Sequence, residues 1–388
     1  MMRLRFSNLF RARPPEQKAS RTNALFALFS DARPHWSPEN ITDLAREGYA
    51  RNPVAYRCVQ MIAEAVVSLP LALYDGFREL DRHPLLDLIA RPNPRATRAD
   101  LFEAVTAHLL IAGNSYVELV ALAGRPRELY VLRPDRMKVV PGRDGWPEAY
   151  EYSVAGKNLR FDMQEEGALP PILHLRLFHP SDDHYGLSPL KAAHRALDLH
   201  NAASRWNKAL LDNAARPSGA LVYSAAGNLS QEQFERLKSE LELNFQGAQN
   251  AGRPMLLEGG LDWKSLSLTP KDMDFIEAKH TSAREIALAF GVPPMLLGIP
   301  GDNTFSNYAE ANRSFYRATV LPLANRLLSS LASWLSPAYG GALRLEPDLD
   351  QVQALSSERE SLWRRVNEAG FLTDEEKRIA VGYGPKPV

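Results

Sequence analysis

The chain has 388 residues, a hydrophobic fraction of 45%, and 46 basic against 46 acidic side chains, so its formal charge is zero. That length suggests two or three packed units with real cores. The charge balance excludes a polycation built to coat nucleic acid, and the single cysteine, Cys58, excludes a disulfide scaffold or a cysteine zinc site within one chain.

The N-terminus, MMRLRFSNLFRARPP, scatters charges through its length and lacks the apolar run of a signal peptide. No window holds 18 uninterrupted apolar residues, so no membrane span is expected, and a cytoplasmic product is. Residues 1–37 read as a flexible basic arm, with Arg3, Arg5, Arg11, Arg13, Lys18, Arg21 and Arg33 against Glu16 and Asp31. Such an arm is a solvated tail or a docking segment.

Asn52 followed by Pro53 is a cap and first-turn proline, and Val54, Cys58, Ile62 and Ala65 recur at helical spacing up to the stop at Pro70. Cys58 therefore reads as a small buried hydrophobe. LALYD reads as a strand. Thr97 and Asp100 open a helix that runs to Ala112, and Gly113–Asn114 turns it into the strand SYVELVAL. Short strands are predicted at 128–133, 136–140, 148–154, 159–162 and 172–177, separated by turn signals such as PGRDGWP and AGKN. Residues 38–187 thus form an α+β block.

The style then changes. Residues 188–215 predict one long helix of roughly 40 Å opened by Ser188–Pro189. Ala192, Ala196, Leu199, Ala203, Trp206, Leu210 and Ala214 make an apolar stripe. Lys191, Arg195, Asp198, Asn201, Arg205, Lys208 and Asp212 make a net positive opposite face. A compact insert covers 217–268, with the strand ALVYS, a helix at 230–245 opened by Ser230 and Gln233, and strands near 254–258 and 261–268. A second helix at 271–290 carries apolar Phe275, Ile276, Ala283, Ile286, Ala287 and Phe290, plus the cations Lys279 and Arg284. Gly291 is placed to end it left-handed, and Pro293–Pro294 blocks continuation. A long loop, 292–305, follows; such loops are usually functional or disordered. A third helix of about 45 Å is predicted at 306–336, kinked at Pro322. A polar end unit closes the chain, with a helix at 350–368 and a capping box at Thr373 and Glu376.

The usual catalytic signatures are absent: no nucleophile elbow, phosphate loop, dinucleotide fingerprint or H-E-x-x-H. One cluster, His174, His179, Asp182, Asp183 and His184, has the donor types for a divalent metal. The simpler reading is a strand residue followed by a polar loop. No catalytic residue, metal site or cofactor is assigned. Two alternatives to a structural role are weighed: a metal-dependent hydrolase using that cluster, and a monomeric DNA-binding module using the basic arm with the Lys191, Arg195, Arg205 and Lys208 face.

Several stretches in order carry a resemblance. They are NPVAYRCVQMIAEAVVSLPLALY, HPLLDLIARPNP, LLIAGNSYVEL, HLRLFHPSDDHYGLSPL, and FIEAKHTSAREIALAFGVPPMLLG with TFSNYAEANRSFYRATVLPLANRL. Together, from about Asn52 to Pro385, they resemble the portal protein of long-tailed bacteriophages and phage-like gene transfer agents. The resemblance implies a non-catalytic ring, usually of twelve subunits, around a channel for double-stranded DNA. It implies a virion or phage-like particle assembled from protein made in the bacterial cytoplasm, with no membrane partner. The implied partners are further copies of the chain, the major capsid protein, a large terminase supplying the energy, and a head–tail adaptor. Mapped here, 38–187 with 306–349 is the α+β wing, including a long kinked helix and a return segment. Helices 188–216 and 271–291 are the stem, 217–270 is a small α/β clip, and 350–388 a short helical crown. The loop 292–305 resembles the tunnel loop, with Gly298, Pro300 and Gly301 shaping an extended excursion. Asp302, Asn303, Thr304, Phe305 and Asn307 would then face DNA. Lys191, Arg195, Arg205, Lys208, Lys279 and Arg284 would be stem positions facing the channel or a neighbouring subunit. A polar tip with one carboxylate grips phosphates weakly, which suits sliding DNA. The chain departs from the family pattern at Phe305, where tyrosine is frequent, and at Glu375, where asparagine is common.

Overall fold

A computed structural model describes residues 40–163, 169–212, 219–223, 261–265, 275–300 and 305–383, with isolated positions at 230, 232, 235, 236 and 239. The described residues fall in one compact unit, Ser37–Val388. The arm, the predicted strand at 254–258 and the ends of several predicted helices lie outside them.

The first elements follow the caps. After a short helical turn at Ile41–Asp43 and a π segment at Leu44–Ala50, helix α1 spans Pro53–Ser68. Asn52 Oδ1 caps it by accepting from the Val54 and Ala55 amides. Cys58 is fully buried on its inner face, and burial pushes its thiol up to about 12. Strands β1 (Leu71–Asp75) and β2 (Arg78–Glu79) form a hairpin. Helix α2 spans Pro84–Ala90, capped by His83, and α3 spans Arg98–Ala112, opened by the capping box of Thr97 and Asp100.

Two antiparallel sheets follow. Strand β3 (Asn114–Leu122) is central between β4 (Arg125–Leu132) and β8 (Ile172–Arg176). Strands β5 (Met137–Pro141), β6 (Pro147–Val154) and β7 (Lys157–Asp162) form a meander. Tyr116, Leu132, Met137, Val139, Tyr150 and Ile172 bury their apolar faces between these two sheets.

The predicted long helix is broken. Ser188 caps α4, Pro189–Ala192, Ala193 leaves helical geometry at ψ 0°, and α5 runs His194–Asp212. Leu190 and Leu197, one on each side of the break, both close on Gly48. The buried face also differs from the predicted stripe. Ala196 and Ala203 are buried as expected, but Leu199 is 52% and Trp206 43% exposed, and Ala193, His194, Leu197 and His200 line the seam instead. Alanines on both faces made the stripe ambiguous, and two histidines sit where apolar residues were sought.

Strands β9 (Gly219–Tyr223) and β10 (Leu261–Ser265) pair antiparallel. Helix α6 spans Phe275–Phe290 and packs on α5 and α1, burying Ala283, Ile286, Ala287 and Phe290, while Ile276 is exposed. The third long helix comes in two parts. Helix α7 (Phe305–Phe315) passes through a π turn, Tyr316–Val320, into α8 (Leu321–Leu335). The Leu321 amide donates to the Tyr316 carbonyl, five residues back. Pro322 explains the widening. It lacks an N–H, and its ring would meet the carbonyl four residues earlier in a regular helix. The return segment holds an unpredicted strand, β11 (Leu343–Pro347), antiparallel to β1. The predicted helix at 350–368 begins later, as α9 (Ser356–Glu368), after two short 3-10 turns. Helix α10, Asp374–Ala380, has the expected capping box.

Two larger clusters hold the unit together. One joins α1, α4, α5 and α6 to Phe315, Val320 and Ala324; the other packs α2, α3 and α8 on strands β1, β3, β4 and β11. This is the expected α+β class, and among the described residues every strand pair is antiparallel.

Candidate functional site

Helix α6 ends in a Schellman motif. The Val292 amide donates to the Ala287 carbonyl at 2.9 Å and the Gly291 amide to the Leu288 carbonyl at 3.0 Å. Gly291 takes φ +68°, and a Cβ there would sit 2.7 Å from Thr319 Oγ1. Glycine is thus required twice, by backbone and by space. The chain then makes a 3-10 turn, Pro294–Leu297, and a second left-handed residue, Gly298. Val292 is 2% and Ile299 8% exposed. Residues 292–299 are therefore folded, not the extended excursion expected, because four apolar side chains there (Val292, Leu296, Leu297 and Ile299) favour burial.

Of the loop residues singled out, Asp302, Asn303 and Thr304 lie outside the described residues. Phe305 begins α7, and Asn307 stands exposed in its first turn. Of the stem cations, Arg195, Arg205 and Lys208 are exposed on α5 and Lys191 is half-buried on α4. Lys279 is half-buried near His200, where its charge, after burial, helps hold the imidazole below its ordinary value. Arg284 is exposed and donates from Nη2 to the Pro300 carbonyl, within its own chain.

The histidine cluster separates. His174 is half-buried in β8, stacked on Tyr116 at 4.3 Å between centroids, with Nε2 3.0 Å from Asn114 Oδ1 and Nδ1 3.3 Å from the Tyr150 hydroxyl. Burial, then the Arg176 charge, holds it down to about 3. Asp182 Oδ1 accepts from the His184 and Tyr185 amides, and His179 Nδ1 accepts from the Ser181 amide. Among the described residues no three His, Cys, Asp or Glu side chains are grouped as a metal site requires.

Two buried asparagines join segments distant in sequence, and the sequence shows neither bridge, although Asn52 is legible as a cap. Asn52 caps α1 and reaches α5, its Nδ2 lying 3.1 Å from His200 Nδ1 and donating to Asn201 Oδ1 at 2.9 Å. Asn201 Nδ2 in turn donates to the Glu47 carbonyl. Asn114 Oδ1 accepts from the Gly186 amide at 2.8 Å, and its Nδ2 donates to the Ala112 carbonyl at 3.0 Å. Beside it Gly113 and Gly186 touch backbone to backbone: a Cβ on Gly186 would fall 2.1 Å from the Gly113 carbonyl oxygen. For Asn114 the available signal is the motif GNS, a glycine directly before an amide side chain, together with the lone Gly186 of YGLSP.

Comparison with known proteins matches residues 53–382 to the family described as phage portal protein. A chain in the neck of an empty GTA particle is 57% identical, covering 91% of this chain and 96% of that one, with a TM-score of 0.72. A chain in the neck of a native GTA particle computed with C12 symmetry is 56% identical over the same shares, with a TM-score of 0.69. The portal protein of Escherichia phage T5 is 31% identical over 87% of this chain and 82% of its own length. With a family match spanning most of its length, and a neck chain 57% identical over most of both chains, this chain belongs to the phage portal protein family.

Proposed function

We propose that twelve copies of the chain form a ring in the neck of a phage-like particle of the gene transfer agent type, around a channel that passes double-stranded DNA. The observation that carries this reading is the 56% identity, over 91% of the chain, to a subunit of a particle neck with twelvefold symmetry. Paired helices α5 and α6 serve as the stem wall, and β9 with β10 belongs to the clip. The α+β block with α7, α8 and β11 is the wing, and α9 with α10 the crown. Asp302, Asn303, Thr304, Phe305 and Asn307 are the part of the loop that meets DNA. The ring carries out no catalysis of its own. Capsid protein binds around it, and terminase and then the adaptor dock on its clip end. The exposed cations of α5 suit loose contact with passing phosphates or with a neighbouring copy.

Native mass measurement with negative-stain imaging of the purified chain tests the architecture. A ring of about a dozen copies with a central hole is expected. A chain that stays single at high concentration and binds duplex DNA tightly as a monomer would refute it. Shortening 301–304 should leave the ring mass unchanged and lower the DNA held per particle.

A further inference from the structure

The segment from Gly291 to Pro300 is tied down at both ends by side chains that the family resemblance did not single out as loop residues. At its start, Thr319 Oγ1 donates to the Gly291 carbonyl at 2.6 Å. That carbonyl follows the last turn of α6, where carbonyls have no partner within the helix. Thr319 itself sits in the π turn at Tyr316–Val320, the wide turn imposed ahead of Pro322. At the other end, the Arg284 guanidinium, on α6, reaches across sixteen residues of sequence to the Pro300 carbonyl. Between these ties the segment is closed by its own backbone, with the Ile299 amide donating to the Pro294 carbonyl and the Gly298 amide to the Met295 carbonyl, each at 3.2 Å. Val292 and Ile299 are buried, with Leu296 and Leu297 packed on the first cluster. The segment is thus a folded root, fixed to α6 at one end and to the π turn at the other.

We propose that Arg284 and Thr319 are positioning residues that hold Val292–Pro300 on the helix pair and so set the point at which the DNA-facing loop leaves the wall. This deepens the portal reading and rests on it for its consequence on DNA. The anchoring itself stands on the hydrogen bonds alone. Arg284, expected as a stem cation facing the channel or a neighbour, acts on DNA through the Pro300 carbonyl in this account.

The test compares Thr319→Val, Arg284→Gln and the double variant with the conservative pair Thr319→Ser and Arg284→Lys, all in the full-length assembled chain. Valine keeps the β-branch and removes only the hydroxyl. Amide hydrogen exchange is read at Val292, Gly298 and Ile299, and at Leu327–Leu335 of α8 as an internal control. Each single variant should speed exchange of the segment by about fivefold and the double by more, the scale of one net hydrogen bond. The control should not change, and Thr319→Ser should restore the rate. DNA retained per particle should fall in the double variant at unchanged ring mass. Unchanged exchange in the double variant overturns the proposal, as does equal acceleration in α8, which would mean general destabilisation. Accelerated exchange with full DNA retention overturns the link to DNA. If the unaltered chain forms no ring, the portal reading fails, and the exchange comparison still decides the anchoring.

Discussion

Replacing Asn52 by alanine is the perturbation whose cost can be worked out most fully. Three terms contribute. Loss of an N-cap side chain costs about 1 kcal/mol. His200 Nδ1, on a residue 4% exposed, loses its donor, and a buried acceptor left without a partner costs about 1–3 kcal/mol. Asn201 Oδ1 loses its donor too, but Asn201 is only half-buried and keeps its bond to the Glu47 carbonyl, so roughly 0.5–1 kcal/mol is appropriate there. The sum is about 2.5–5 kcal/mol, at the high end of single substitutions. Asn52→Ser separates the terms. Serine caps the helix but is too short to reach α5, so its cost should be about 1 kcal/mol less. The bridge also requires a neutral His200, because Nδ1 must accept; burial, aided by the Lys279 charge, depresses its pKa in that sense. The assay is urea unfolding of the unassembled chain, with Asn201→Ala in a double-mutant cycle to measure the coupling across α1 and α5. If Asn52→Ala lies within about 0.5 kcal/mol of the unaltered chain, the bridge is not a structural joint. A cycle with no coupling between positions 52 and 201 would refute the reasoning equally.

Other substitutions and conditions carry further expectations. Gly186→Ala should be far more damaging than Gly76→Ala, because the first drives a Cβ into the Gly113 carbonyl while the second has open space and bears only the left-handed backbone cost of about 1 kcal/mol; equal melting temperatures would contradict the close approach. Tyr116→Phe should be neutral or stabilising, since the buried hydroxyl finds no hydrogen-bond partner among the described residues; a loss above about 1 kcal/mol in urea would reveal a partner that matters. Burial holds His174 down to about 3 and His108 down to about 4. Their folded values lie below the unfolded value of about 6.5, so the stability they contribute is complete above it and is lost as pH falls through 6.5 toward 4. Unfolding midpoints should be flat from pH 7 to 8 and decline below pH 6.5; a flat profile down to pH 5 would show that both imidazoles are solvated.

The caps were legible because each is a local device. Asn52 with Pro53, Thr97 with Asp100, Thr373 with Glu376 and Gly291 satisfy or end a helix within four residues of sequence, and all four behave as their chemistry requires. What escaped were choices made between distant segments. The burial of His200, and the exposure of Leu199 on the same helix, follows from Asn52, nearly 150 residues away. Strand β11 exists because β1 offers an edge, although RLEP has no strong strand signal of its own. The loop after α6 was identified, but its folded half was not, because four apolar side chains in a proline- and glycine-rich stretch were outweighed by the turn residues among them. The order of the quoted segments carried the family, and the folded root of its loop had to come from coordinates.

The π turn has a consequence for chain length. From Phe315 to Val320 the buried positions step by five residues, and from Val320 to Ala324 by four. A regular helix would hold the same face with one residue fewer. The two halves of this long helix are therefore in register only because the wide turn absorbs a residue. Relatives that lack the proline should close the gap by a one-residue deletion just before Thr319, with both apolar faces and the Gly291 tether left in place. An insertion at the same point would have nothing left to absorb it, and would swing one half of the helix by about 100° against its core.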